Sequence, residues 1–202
     1  MDNKNMDKLT KFVAMDCEMV GVGQGGVDDM VARVSIVNKF GDCIYDKFVK
    51  ARKKVVDYRT SVSGIRKEDL ENGEDFETVQ KEVAELLRGR ILVGHSVEYD
   101  LNVLFLSHPE CNKRDTSRYK PFIKMNRGRT PSLKWLAKQK LGIDIHHGEH
   151  NSVEDAKVVM QVYCTVEERW EQALRRNEDI VESLESWNQR KLKMKLKPFQ
   201  FC

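Results

Sequence analysis

Two acids stand at alternate positions in "MDCEM", inside the apolar run "KFVAMDCEMV". In an extended chain Asp16 and Glu18 point the same way. Like charges side by side in apolar surroundings are costly unless a positive charge neutralises them. Asp100 is equally out of place. It falls between Val97 at i−3 and Leu104 at i+4, on or beside a helical stripe meant for the core. Taken singly, a rim carboxylate bonded to a backbone amide is the commoner reading. Asp155 in "SVED" lies three residues after Ser152, the spacing of a capping box, and alone is more often a cap than a ligand. His150 precedes it on a loop and alone is an ordinary polar residue. Together, four carboxylates without matching buried lysines or arginines make an all-oxygen site suited to magnesium or manganese. The nearby "HHGEH", with His146 and His147, lacks the second ligand pair that zinc requires.

Elements that would position these groups are legible in the pattern. "KFVAMDCEMV", "ARVSIVNKF" and "CIYDKFVK" read as three strands of an antiparallel meander, with "GVGQGGVDDM" as the first connection and "NKFGDC" as a hairpin turn. Phe76, Val79, Val83, Leu86 and Leu87 then share one helical face, and Gly89 supplies a stop. Ile91 to Val93 reads as a buried strand followed by a Gly-His turn and a helix with Val97, Leu101, Leu104 and Phe105, a strand-to-helix crossover. "SLKWLAKQKLG" predicts a helix capped by Ser132 and ended by Gly142. From Ser152 an apolar stripe runs through Val166 and Trp170 to Leu174, predicting one long helix. Strands first and alternation afterwards imply an α/β fold, a mixed sheet with helices on its faces. The acids and His150 fall where such a sheet presents residues to a crevice.

At 202 residues the chain suits one domain with an appendage, and no apolar stretch reaches the length of a membrane span. Met1 to Lys11 has no apolar signal segment. Five scattered cysteines without a CxxC pair indicate reduced thiols and a place inside the cell. The net charge of +3 is unevenly spread: residues 190 to 202 hold five basic residues and no acid, leaving 30 basic against 32 acidic before them. Residues 113 to 129 carry seven basic residues against Asp115 alone, a local +6. Such patches attract polyanions. Within this stretch Arg118 and Lys120 can follow phosphates while Tyr119 and Phe122 stack on bases, the alternative being that the aromatics pack inward. "KARKK", residues 50 to 54, is a weaker candidate, and the basic tail suits nonspecific RNA affinity or a nuclear address.

"AMDCEMVG", "LVGHSVEYDL" and "HNSVEDA" resemble, in order, the three motifs of the DEDDh 3′→5′ exonucleases. "ARVSIVN", "DYRTSVSGI", "RDTSRYKPF" and "PSLKWLA" extend the similarity to the family's eukaryotic RNA exonuclease subgroup, over roughly residues 11 to 170. The resemblance implies a ribonuclease H-like fold. It implies that Asp16, Glu18, Asp100 and Asp155 bind two divalent cations, Mg2+ or Mn2+, with Asp16 bridging them and His150 as general base. Two such ions activate water on one side of a phosphodiester and stabilise the leaving oxygen on the other. Met19 and Arg59 are implied as contacts to the terminal nucleotide. The expected substrate is the 3′ end of single-stranded RNA, with DNA as the alternative and a non-catalytic RNA-binding module as a third reading. The family suggests the nucleus or nucleolus, or else the cytoplasm; no membrane or protein partner is inferred. The expected division is an N-terminal extension (1–10), an exonuclease domain (11–176) and a basic C-terminal extension (177–202).

Overall fold

In a computed structural model that describes residues 8–145 and 147–195, one sheet is organised around strand β1 (Phe12–Val22). β2 (Asp28–Asn38) pairs with it antiparallel along nearly its whole length, and β3 (Cys43–Phe48) pairs antiparallel with β2. The expected meander is present. A short β4 (Val55–Asp57) joins β1 at Gly21 and Val22. Three helices follow, α1 (Thr60–Ser63), α2 (Lys67–Glu71) and α3 (Phe76–Leu87), before β5 (Ile91–Gly94) runs parallel to Phe12–Ala14 of β1. After α4 (Val97–Val103), β6 (Lys113–Asp115) lies parallel to β5. Strand order is β3-β2-β1-β5-β6, with β3 and β6 outermost. The remaining helices are α5 (Lys120–Met125), α6 (Leu133–Leu136), α7 (Ser152–Cys164), α8 (Glu167–Arg175) and α9 (Leu184–Lys195). No helix among the described residues is long and apolar enough to cross a membrane.

Alternation along β1 divides the core. Val13, Met15 and Cys17 pack against Phe76, Val79 and Val83 of α3 and Leu101 of α4, while Ala14 faces Val159, Met160 and Tyr163 of α7. Burying each such large side chain contributes about 1.5–3 kcal/mol, so the two faces clamp β1 between helical layers.

Three expectations change. The stripe from Ser152 to Leu174 is two helices rather than one: Thr165 Oγ1 donates to Val162 O at 2.7 Å, and Val166 leaves helical geometry at φ −131°. The break lets Trp170 of α8 stack on Tyr119 at 4.1 Å, edge-on to Tyr163, and aromatic packing of this kind outweighs continuity of one helix. Asn151, not Ser152, caps α7, its side chain accepting from the Val153 N–H at 3.1 Å. Ser152 points inward instead and shares a 2.7 Å hydrogen bond with Ser35. Ser132 caps its helix as expected, but α6 is one turn long and continues as a π-helical turn, Ala137–Leu141, to Gly142.

Residues 178–190 lie against the domain. Val181 bridges to Tyr119, the Lys120 N–H donates to Ile180 O and the Glu182 N–H to Arg118 O, both at 2.9 Å. Trp187 is 1% exposed, its ring 5.6 Å from that of Tyr99 in α4. His146 and the last part of the basic tail, 196–202, fall outside the described residues.

Candidate active site

Pairing of β1 with β5 ends at Ala14, so Asp16 and Glu18 lie just past the end of β5, on a stretch of β1 whose edge stays open until β4 joins. Two helices begin beside this gap. α4 follows β5 through a turn in which Gly94 is needed for space: a Cβ there would lie 2.8 Å from that of Val97. Asp115, at the end of β6 and 1% exposed, holds the start of α4 by accepting from the N–H groups of Ser96 (2.8 Å) and Val97 (3.2 Å). It also accepts from the Ser117 N–H and hydroxyl, at 2.9 and 2.7 Å. One turn on, Asp100 accepts from both the backbone N–H and the thiol of Cys17 in β1. α7 enters from the other sheet face, where the Ser152 N–H donates to the Glu18 carboxylate and Asp155 is buried.

Oxygens of Asp16, Glu18 and Asp155 all lie within 4.8 Å of one another, and among the described residues this is the one such group of three or more ligand-type side chains. Asp100 is part of the same charge cluster. After burial, its charge is the largest influence raising the Asp16 pKa, ahead of Asp155 and Glu18. Asp100 is itself pushed up by burial and then by Asp115. Burial and then Asp155 raise Glu18 from 4.5 to about 8, against a lowering pull from Arg33. Glu18 is 6% exposed and its Oε1 has no hydrogen-bond partner. A buried carboxylate oxygen without a donor, in an all-oxygen cluster where Asp16, Glu18 and Asp100 are held against ionisation, fits a divalent cation.

His150 sits on the loop before α7, its side chain 31% exposed and its Nδ1 3.9 Å from Asp155 Oδ2. α1 holds this loop. The His150 N–H donates to Val62 O at 2.6 Å, and Arg66 pairs with Glu149 at 2.7 Å. Gly64, at φ +68°, closes the contact: a Cβ there would come 3.1 Å from His150 O.

The expected substrate contacts divide. Met19 is half-buried beside Glu18, where β2 bulges by one residue. Arg59 sits at φ 52° just before α1 and reaches Asp29 Oδ1 of β2 at 2.6 Å and Gly26 O of the β1–β2 connection at 3.0 Å. The expectation for Arg118 and Tyr119 is corrected. Arg118 is 2% exposed, bonded to Glu182 O and paired with Glu110, and Tyr119 is fully buried in the aromatic cluster with Phe122. Lys120 pairs with Asp179. Lys113 and Arg114 are similarly engaged, by Glu98 and Glu110 and by Glu171. Acids outside the stretch, from nearby Glu110 to distant Glu171 and Asp179, therefore answer the first half of the +6 charge.

Sequence reasoning missed Asp115, counting it only as a lone negative charge. Its signal was an acid followed by Thr-Ser, a pattern that favours local side-chain-to-backbone bonds. The donor role of Cys17 and the Ser35–Ser152 contact left no comparable signal.

Strand order, the mixed pairing and carboxylates gathered at the β1–β5 switch together define a ribonuclease H-like nuclease domain. The exonuclease family model RNase_T matches residues 13–163, and the chain belongs to that family. It is 54% identical over 172 residues to RNA exonuclease 4 of Xenopus tropicalis, covering 85% of this chain and 42% of that protein. To RNA exonuclease 4 of Homo sapiens it is 53% identical (83% and 40% covered), and to that of Saccharomyces cerevisiae 52% (80% and 56%). The chain thus spans about half the length of these relatives, or less. Among solved structures, the Neurospora crassa Pan2 catalytic unit superposes with TM-score 0.69 at 26% identity, covering 93% of this chain and 30% of that one. A Saccharomyces cerevisiae Pan2 pseudoubiquitin hydrolase-RNA exonuclease module in complex with RNA gives 0.69 at 25%, covering 93% and 32%.

Proposed function

We propose that this domain is a metal-dependent 3′→5′ exoribonuclease that removes nucleoside 5′-monophosphates one at a time from single-stranded RNA. The observation that carries the reading is the carboxylate cluster, in which Glu18 Oε1 is buried without a hydrogen-bond partner. Asp16, Glu18, Asp100 and Asp155 would hold two divalent cations, Mg2+ or Mn2+, which when bound supply Lewis-acid activation of the attacking water and stabilise the leaving oxygen.

The chain's own groups do the rest. Cys17 and Ser152 orient the carboxylates of Asp100 and Glu18 by donating to them. His150 is the general base, with Nδ1 turned to Asp155 and Nε2 assigned to the water. As the water oxygen bonds to phosphorus, its proton passes to His150 and the bond from phosphorus to the preceding 3′-oxygen breaks. The phosphate stays on the 5′-oxygen of the released nucleotide, and the 3′-oxygen takes a proton from solvent. The loop position of His150, held at its backbone by Val62, lets the ring adjust while its anchor stays fixed.

RNA rather than DNA is favoured by the relatives named RNA exonuclease 4. The test is a panel of 5′-labelled RNA and DNA of one sequence with Mg2+ or Mn2+. The expected result is a ladder shortening from the RNA 3′ end with mononucleotide 5′-phosphates released, lost in Asp16→Asn. Faster loss of the DNA would move the assignment to a DNA exonuclease. Intact strands with both metals, or internal cuts, would refute it.

A further inference from the structure

From Thr116 to Ile143 the chain holds eight lysines and arginines and no acid. The fold occupies several of them: Arg118, Lys120 and Lys138 are in ion pairs, and Lys140 lies over the Phe122 ring. Lys124, Arg127 and Arg129 stay exposed and are held by no ion pair among the described residues. The last two flank Gly128 in a tight turn where Arg127 and Gly128 have φ values of 53° and 76°.

α9 packs on this turn. Arg190 donates through Nη1 to Gly128 O and through Nε to Glu182 at 3.1 Å. Three residues earlier Trp187 is seated on Tyr99, the neighbour of Asp100 in α4, and Lys191 lies 5.2 Å above the Trp187 ring. A line of contacts therefore runs from the helix of one carboxylate ligand, through Tyr99 and Trp187, to the 126–129 turn. Two basic stretches some sixty residues apart in sequence thus meet, Arg190 against Gly128 and Lys191 over Trp187, on the side of α4 that carries Tyr99. Tyr99, 40% exposed, is an aromatic surface beside them.

Resting on the proposed exoribonuclease reading, we infer that α9 and the 126–129 turn form one wall of a channel leading single-stranded RNA to the carboxylates, with Arg127, Arg129 and Lys191 meeting phosphates upstream of the 3′ end. Exposed cations gathered where α9 meets the turn, with an adjacent aromatic face, match a flexible strand with a charged backbone and stackable bases. A dinucleotide is too short to use the wall; a longer RNA gains from it.

The test is binding of a fluorescein-labelled RNA decamer, read by anisotropy across a salt series, to the Asp16→Asn chain with and without Arg127→Ala, Arg129→Ala and Lys191→Ala together. The Kd is expected to rise about tenfold and the slope of log affinity against log salt to fall by about 2, at about 0.7 per lost phosphate contact. In the cleavage-competent chain the decamer-to-dinucleotide ratio of kcat/KM should fall by a similar factor. An unchanged salt slope, or equal losses on both lengths, overturns the inference. So does a poly-glutamate peptide that binds as tightly as the decamer, which would mark the rim as a dock for an acidic protein. Should the wild-type chain cleave nothing yet bind the decamer with the expected slope, the wall stands and only the proposed activity falls.

Discussion

Replacing Glu18 by Gln should stabilise the cation-free protein while abolishing cleavage. The Glu18 carboxyl is pushed from 4.5 to about 8 in the folded chain, so between these values the folded state keeps a proton that the unfolded state has lost. Stability therefore falls as pH rises through that window, the direction expected when a carboxyl pKa is raised on folding. At about 1.4 kcal/mol per pH unit the penalty is about 1 kcal/mol at pH 5, about 3 at pH 7 and about 5 above pH 8. These are upper values, because the site relaxes around the charge; a gain of about 2 kcal/mol for Glu18→Gln at pH 7 is expected. In a chain of this size that is a Tm increase of roughly 4–8 °C. The assay is thermal unfolding in chelator at pH 5 and pH 7.5, repeated with Mn2+. The variant should gain little at pH 5 and most at pH 7.5, and the wild type should recover its deficit when the cation binds the folded state. A variant no more stable than wild type at pH 7.5, or a gain independent of pH, would show that Glu18 is not held against ionisation and would refute the reasoning.

Asp115→Asn removes a charged acceptor from the start of α4 and should cost about 1–3 kcal/mol in thermal unfolding, while raising the cation concentration needed for half-maximal cleavage because Asp100 is less firmly placed. Gly64→Ala introduces strain of about 1 kcal/mol at positive φ and presses on His150 O. Steady-state kinetics should register it as a fall in kcat larger than any change in KM. Tyr119→Ala empties a fully buried aromatic site and should cost about 3–5 kcal/mol, with RNA affinity of the folded fraction unchanged by anisotropy; a selective loss of affinity would restore Tyr119 to the substrate surface.

How far the molecule was legible depended on whether the causes were local. β1 to β3 and α3 follow from alternation and helical periodicity, patterns that one buried face imposes directly on the chain. The acids were visible because they interrupt such patterns. β6 was not, since "KRD" has no strand signature and its basic side chains are buried only through Glu98, Glu110 and Glu171 from other elements. The reading of Arg118 failed for two reasons: the charge count began after Glu110, its ion-pair partner, and no sequence count shows the Glu182 carbonyl that folding brings to it. The break between α7 and α8 depends on where Tyr119 waits for Trp170, and the seating of Trp187 depends on Tyr99, both long-range contacts that leave periodicity intact.

The outer strands of the sheet have a consequence of another kind. An exposed strand edge is a template on which a second chain can add itself and seed aggregation. Here one margin, β6, is three residues long, and Arg114 on it is clasped by Glu171 of α8. The other, β3, places Asp46 and Lys47 mid-strand, engaged by Arg33 and by Glu74 and Glu82. An incoming strand would have to break these ion pairs or settle for a very short ladder. The charges that look dispersed along the sequence thus also guard the sheet against growing beyond its own borders.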